Sequence, residues 1–86
     1  MPVLCLREPV KRLAGDRAEH ALEGGTVCEL LEALEREHPA TGGWLLDERG
    51  MLRRHVNVFV NGEPAGPDTP VSGDDRVHVI PAISGG

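Results

Sequence analysis

Alternating apolar and polar side chains predict two strands near the N-terminus and another in the second half of the chain. Leu4 and Leu6 alternate with small or polar residues, and segment 17–22 follows the turn signal Gly15-Asp16, which together predict a first hairpin. Its second strand is weak by propensity because alanine and glutamate are poor strand formers. The clearest strand is 55–61, where valines alternate with His, Asn, Phe and Asn. Its predicted core face consists of Val56, Val58 and Val60.

A helical stripe of apolar residues begins just after a capping signal. Thr26 is followed three residues later by Glu29, a capping-box pattern in which hydroxyl and carboxylate accept from free backbone N–H groups at a helix start. Apolar side chains then recur at i, i+3, i+4 and i+7, which places them on one face of the helix. These residues are Val27, Leu30, Leu31 and Leu34. Pro39 is predicted to end the helix after His38.

Segment 40–54 carries mixed signals. Gly42-Gly43 and Gly50 bracket Trp44-Leu45-Leu46, which we interpret as a short helical turn that closes one end of the core. Trp44 is expected to pack in the core or against the loop, with a partner contact as the alternative.

The last third of the chain predicts a turn, an irregular crossing and a final strand. Asn61-Gly62 is a strong turn dipeptide because both residues tolerate positive φ, and the stretch that follows carries three prolines. Residues 76–80 form the predicted final strand, which Pro81 ends. The order of elements predicts an α+β roll, a mixed sheet with one main helix packed across it. We assign residues 1–81 to this domain and 82–86 to a flexible tail.

Composition narrows the class of function. A length of 86 residues predicts one domain, and 40% hydrophobic and 27% charged residues are ordinary globular values. The formal net charge of −5 opposes phosphate backbones, and only Trp44 and Phe59 offer large rings that stack on bases, so nucleic-acid binding is disfavoured. The acidic balance suits docking onto a basic protein partner, or is simply a solubilising excess.

The sequence shows no targeting or membrane-spanning pattern, so we expect a cytoplasmic protein. Cys5 and Cys28 lie far apart, which gives neither a zinc pattern nor a redox pair, and both are interpreted as ordinary thiols. The histidines are scattered singly, so no metal site is expected. Gly24-Gly25-Thr26 lacks the lysine and the spacing of a phosphate-binding loop and is interpreted as a strand-to-helix turn. We predict no autonomous catalytic site.

The residues Ser84-Gly85-Gly86 suit acyl transfer. A carboxylate must be activated, for example as a mixed anhydride with AMP, before sulfur can displace the leaving group, and the chain that carries it must thread a narrow channel into a partner's ATP site. Two glycines remove every side chain that would block such a channel. The alternative is a frayed end without function. Pro81 favours the first interpretation because it makes a stiff exit a few residues before the glycines.

Three motifs together resemble the ubiquitin-like sulfur carriers of the MoaD/ThiS type. They are VFVNGE at 58–63, VSGDDRV at 71–77 and IPAISGG at 80–86. The resemblance spans nearly the whole chain because the capped helix falls where the helix of the family does. Within the family, the tail and the long insert 40–54 are most similar to the cysteine-biosynthesis carrier, whereas the molybdopterin type more usually has two prolines and no such insert. Serine at position 84, where alanine is common, is a mild departure.

The resemblance implies a β-grasp fold and a thiocarboxylate cycle. A ubiquitin-activating-type adenylyltransferase would use ATP and magnesium to adenylate Gly86, and a sulfur source, with or without a sulfurtransferase, would convert it to the thiocarboxylate for a sulfur-accepting synthase. The residues that thread the partner's active site are then Ile83, Ser84, Gly85 and Gly86. The chain would be a protein co-substrate rather than an enzyme, monomeric when free and without a permanently bound cofactor.

Partner docking is predicted at Phe59, Ile80 and Pro81. Phe59 and Ile80 alternate out of phase with the core valines, so they are expected to be exposed apolar residues near the tail, unless a loop or the N-terminal strand covers them. Other functions stay open, namely the small subunit of molybdopterin synthase, a protein modifier that forms an isopeptide bond with lysine, and an interaction module with an idle tail. The residues do not identify the acceptor pathway among cysteine, cofactor and secondary-metabolite biosynthesis.

Overall fold

A computed structural model describes residues 1–81. These residues form five strands, two α-helices and one 3-10 helix. In chain order they are β1 Val3–Leu6, α1 Val10–Leu13, β2 Glu19–Ala21, α2 Val27–Glu37, the 3-10 helix Pro39–Thr41, β3 Val56–Val60, β4 Glu63–Ala65 and β5 Arg76–Pro81.

The five strands form one mixed sheet in the order β2-β1-β5-β3-β4. β1 and β5 are parallel neighbours at its centre, and the other three pairs are antiparallel. The buried side chains of α2 share one core with those of β1, β3 and β5, so α2 packs across one face of the sheet. This architecture confirms the predicted α+β roll with one main helix.

The sequence pattern misses two short elements. α1 has only four residues, too few for a helical period to show, although Val10 and Ala14 are buried in the core. β4 contains Pro64, which cannot donate to a strand ladder and therefore argues against a strand in the sequence. Because β4 lies at the sheet edge beside β3, one side of it needs no partner, and the proline is tolerated.

The capping box at the start of α2 is confirmed. The Thr26 hydroxyl accepts a hydrogen bond from the Glu29 backbone N–H (3.2 Å), and the Glu29 carboxylate accepts from the Gly25 N–H (2.6 Å). Two carbonyl groups of the crossing segment complete the cap, because Val27 N donates to Thr69 O (3.0 Å) and Cys28 N to Pro67 O (2.9 Å). The N–H groups of the first three residues of α2 thus all have partners.

We predict that Thr26→Ala lowers the free energy of unfolding by about 1 kcal/mol, the usual cost of losing an N-cap hydroxyl. For a domain of this size the loss corresponds to a drop in Tm of roughly 4–8 °C, measurable by thermal denaturation followed by circular dichroism. Thr26→Ser keeps the hydroxyl and should retain most of the stability. Equal losses in the two variants would contradict the capping role.

Segment 40–54 only partly matches its interpretation. Leu45 and Leu46 are buried and close one end of the core, but Trp44 is 45% exposed, so the expectation of core packing for Trp44 is wrong. The single-turn helix lies before these residues, at Pro39–Thr41. The loop is held by the Asp47 carboxylate, which accepts from the backbone N–H groups of Arg49 (2.9 Å) and Met51 (3.0 Å). These hydrogen bonds keep the pKa of Asp47 below its usual value.

The Asn61-Gly62 turn is confirmed, with φ of 51° and 88°, and it joins β3 to β4. The Asn61 side chain ties this turn to the start of β5, because its amide donates to the Asp75 carboxylate (3.0 Å) and its oxygen accepts from Arg76 N (2.9 Å). Asp75 also accepts from Ser72 N, and these hydrogen bonds, that from Ser72 above all, lower the pKa of Asp75. These hydrogen bonds fix the position at which β5 enters the sheet.

Candidate functional site

The central strand β5 leads to the predicted acyl residue. It pairs with β1 up to Val79 and with β3 up to Pro81, so both sides of the strand are paired up to Val79, and the side facing β3 is paired as far as Pro81, the last described residue. Pro81 itself is half-buried. The predicted threading residues Ile83, Ser84, Gly85 and Gly86 lie outside the described residues, and their roles stay predictions.

The outer face of the sheet, away from α2, carries two of the three predicted docking residues. Val77 and Val79 of β5 are buried in the core, and since strand side chains alternate, Arg76, His78 and Ile80 point to the other face. The same alternation places Phe59 there, between the buried Val58 and the core-packed Val60. The register sets Phe59 opposite His78 on one side and Pro64 on the other.

Phe59 and Ile80 are half-buried, so the expectation that both are exposed is wrong in degree, although neither faces the core. Ile80 lies opposite Asn57, which makes it the diagonal neighbour of Phe59, at a Cα spacing of roughly 7–8 Å. The result is a low apolar patch, which we call the outer patch and define as Phe59 and Ile80, whereas Pro81 pairs with the core-facing Val56 and belongs to the other face.

A polar cluster on β1, β2 and β5 borders the outer patch, and the sequence pattern did not reveal it. The Arg76 guanidinium forms an ion pair with Glu19 and lies 3.5 Å from the Cys5 Sγ. Cys5 sits in register between Glu19 and His78 and is buried. Burial raises the pKa of the Cys5 thiol, against the lowering effect of Arg76. Only strand alternation hinted at this cluster, because the sequence alone does not say which strands are neighbours.

Both cysteines are free thiols. Burial also raises the pKa of Cys28, and the surrounding carboxylates, Glu32 foremost, raise it further. A raised pKa keeps a thiol protonated and poorly nucleophilic at neutral pH. The structure therefore agrees with the interpretation of both residues as ordinary thiols.

The start of α2 does not offer a phosphate site. Its first N–H groups are used by Thr26 and by the crossing segment, and a Cβ at Gly24 would lie 3.1 Å from Leu30 N and Leu30 Cδ2. The two glycines thus serve close packing of turn on helix, as the strand-to-helix interpretation requires.

Two histidines that are distant in sequence meet in the structure. His20 is buried on the core face of β2, its Nε2 lies 2.9 Å from Arg17 O, and its ring stacks edge-on with His38 at 5.2 Å between centroids. Within residues 1–81, no group of three or more His, Cys, Asp or Glu side chains is arranged to hold a metal ion.

The hollow beside α2 is acidic. Its lining includes Glu32, Glu35, Asp47 and Glu48 against the single cation Arg53. Partial burial, with Glu32 nearby, raises the pKa of Glu35. An acidic lining repels nucleotide phosphates, so this hollow does not match an ATP site.

Comparison with known proteins places this geometry among small carriers and modifiers. The model of the ThiS family matches residues 6–86. The chain is 36% identical over 61 residues to small archaeal modifier protein 1 of Haloferax volcanii, which covers 71% of this chain and 70% of that protein. It is 30% identical over 78 residues to the sulfur carrier protein CysO of Mycobacterium tuberculosis, 84% of each chain.

The solved structures agree with the sequence comparison. In the crystal structure of the Amycolatopsis orientalis BexX/CysO complex, one chain superposes on this one with a TM-score of 0.87 at 26% identity, covering 100% of both chains. Among residues 1–81, none of the helices has the length and apolar character needed to cross a bilayer.

Proposed function

Because the chain belongs to the ThiS family of small ubiquitin-like sulfur carriers, we propose that it carries sulfur as a thiocarboxylate at Gly86. An adenylyltransferase of the ubiquitin-activating type is the first partner, and it supplies the ATP and magnesium site. A sulfur-accepting synthase is the second, in the biosynthesis of cysteine, a cofactor or a secondary metabolite.

The proposed chemistry has two steps. The Gly86 carboxylate attacks the α-phosphate of ATP, which forms the acyl adenylate and releases pyrophosphate. Hydrosulfide, or a sulfur donor that delivers it, then adds to the acyl carbon, the bond from carbon to the AMP oxygen breaks, and thiocarboxylate, AMP and a proton result. Both steps need a site that binds ATP, which this proposal assigns to the partner and not to the acidic hollow beside α2.

The observation that carries the proposal is the position of β5. A central strand paired on both flanks up to Val79 presents its C-terminal end from the most rigid part of a sheet, and its pairing with β3 continues to Pro81. Gly86 is the fifth residue after Pro81. A fixed exit followed by a short segment ending in glycines suits delivery of one acyl group into a narrow channel.

The proposal is tested by intact-mass spectrometry after incubation with ATP, magnesium, an activating enzyme and sulfide. The carrier should gain the mass of one sulfur in exchange for one oxygen, and the gain should require both ATP and enzyme. If an enzyme that thiocarboxylates its own carrier leaves this chain unchanged at high concentration, and an activating enzyme from the same organism as the chain does so too, the proposal is wrong.

A second candidate function is protein modification, favoured by the similarity to small archaeal modifier protein 1. In this function the activated Gly86 carbonyl is attacked by a lysine Nζ, which forms an amide bond and releases AMP. Denaturing gels distinguish the two functions, because amide-linked conjugates give stable bands of higher mass whereas a carrier does not.

A modifier of this sequence has one side-chain amine through which copies can join. Lys11 is the single lysine of the chain, is half-buried on α1, and forms no ion pair within residues 1–81. We therefore predict that Lys11→Arg removes all self-conjugates while conjugates to other proteins persist, since a guanidinium stays protonated and does not attack acyl groups.

The matched control for this prediction restores an amine one residue away. Arg12 is exposed on the same helix, and Arg12→Lys in the Lys11→Arg background should recover self-conjugates. Tandem mass spectrometry identifies the linked residue. Self-conjugates that survive in the Lys11→Arg variant, joined through the N-terminal amine or another group, would contradict the prediction.

A further inference from the structure

Basic charge is concentrated in two short segments of this acidic chain. Residues 7–17 and 54–55 carry five basic and two acidic side chains, whereas the rest of the chain carries four basic and twelve acidic ones. The net charge of −5 therefore averages over a strongly polarised molecule. Such polarity orients a protein as it approaches a charged partner.

The sheet topology brings both segments to the edge where β5 ends. Leu6, the last residue of β1, pairs with Val79, so residues 7–17, which connect β1 to β2, lie at that edge. The hydrogen bond from Leu6 N to Ala18 O (2.7 Å) places the end of this connection beside the end of β1, where the connection begins. Val56, the first residue of β3, pairs with Pro81, so residues 54–55 lie there too.

We call the five basic residues the basic collar: Arg7, Lys11, Arg12, Arg17 and Arg54. Four of them are exposed and Lys11 is half-buried. Within residues 1–81, only Arg12 has an anionic partner, at 3.8 Å from Glu8. The collar thus keeps most of its charge for an external partner.

The length of the last segment decides what the collar meets. Five residues reach at most about 18 Å beyond Pro81, at roughly 3.3–3.6 Å per residue. When Gly86 is at the reacting phosphate, Pro81 therefore lies within that distance of the nucleotide, and the edge that carries the collar lies close to the mouth of the channel. It faces the protein surface that surrounds the entrance.

We propose that the basic collar docks on an acidic rim around the channel entrance of the activating enzyme, and that this contact steers the encounter. The inference rests on the proposed function and adds a recognition surface distinct from the outer patch. Guanidinium groups of the collar pair with carboxylates of the rim, because a guanidinium can donate two parallel hydrogen bonds to one carboxylate. The molecule then approaches its partner with the edge that holds Pro81 in front.

The test compares charge reversals inside and outside the collar. The double variant Arg7→Glu/Arg54→Glu reverses two exposed collar charges. The control Arg49→Glu makes the same kind of change at an exposed arginine outside the collar. Arg49 lies at the opposite end of the molecule, next to Gly50, whose carbonyl accepts from the Cys28 thiol. Thermal denaturation first establishes that each variant is folded. The rate of ATP–pyrophosphate exchange with the activating enzyme then gives kcat/KM.

The collar variant should lose about tenfold or more in kcat/KM at an ionic strength of about 0.01 M, where charges act over roughly 30 Å, and the loss should shrink at about 0.15 M, where the range is roughly 8 Å. Arg49→Glu should stay near the wild-type rate. Equal kcat/KM values in the collar variant and in Arg49→Glu, or a loss of kcat/KM that does not change with salt, would contradict the proposed role of the collar.

Two further outcomes distinguish failure of the proposed function from failure of the collar proposal alone. If wild-type chain supports no exchange at all, the proposed function fails and the collar inference fails with it. If the double variant keeps its exchange rate but loses retention on immobilised nucleic acid, the collar serves a nucleic acid and the proposed acidic rim is wrong.

Discussion

Deletion of Gly86 is expected to abolish the gain of sulfur completely, with no change in Tm. The reacting carboxylate must reach a nucleotide held at a fixed depth, and one residue fewer withdraws it by roughly 3.3–3.6 Å. A misplacement of about 1 Å already costs on the order of 10²-fold in rate. Thermal stability should stay unchanged because the core and the sheet are formed within residues 1–81.

Two tail variants separate chain length from side-chain size. Gly86→Ala keeps the length but adds a Cβ in the channel, so it should also lose the mass gain. Ser84→Ala changes a small residue into a smaller one and should keep it. A Gly86 deletion variant that still gains sulfur would show that the reacting group is not the Gly86 carboxylate. Mass spectrometry of its proteolytic peptides would then locate the modified residue.

Sequence periodicity predicted the parts of the fold whose pattern is local. The stripe on α2 and the alternation in β3 follow from which face each side chain takes, and the Thr26 cap follows from hydrogen bonding within four residues. Trp44 was misjudged because an aromatic ring in a short loop has no periodic neighbours that fix its direction. Its exposure depends on how Leu45 and Leu46 enter the core, which is a tertiary property.

The candidate site depended on strand order, which periodicity does not give. That Phe59 avoids the core was predictable from its phase, but its neighbours His78 and Pro64 follow from the register of three strands. The Cys5, Arg76 and Glu19 cluster likewise joins residues from three strands. The basic collar was hidden for the same reason, since its two segments meet only because β1 and β5 are parallel.

Replacement of Phe59 by alanine is expected to weaken binding to the activating enzyme about 30-fold, equivalent to roughly 2 kcal/mol, the threshold of an interface hot spot. Phe59 is the large aromatic side chain of the outer patch, half-buried between His78 and Pro64. Aromatic side chains that are already partly ordered lose little conformational entropy on binding and contribute a large apolar area. Calorimetric titration of the folded variant measures the change in Kd.

The control for Phe59 is another half-buried apolar residue on the same face. Val3 lies on β1 opposite Ala21 and Arg76, separated from Phe59 on β3 by the intervening strand β5. Val3→Ala should change Kd by less than about threefold if docking is centred on the outer patch. Comparable losses at Val3 and Phe59 would instead mean that the whole face binds the partner, or that the loss comes from weakened folding, which the Tm of each variant distinguishes. A loss of affinity confined to Phe59, together with a salt-dependent loss of kcat/KM in the collar variant, would mean that the partner recognises two adjoining surfaces. The apolar patch would then set the dissociation rate, and the charged edge would set the association rate.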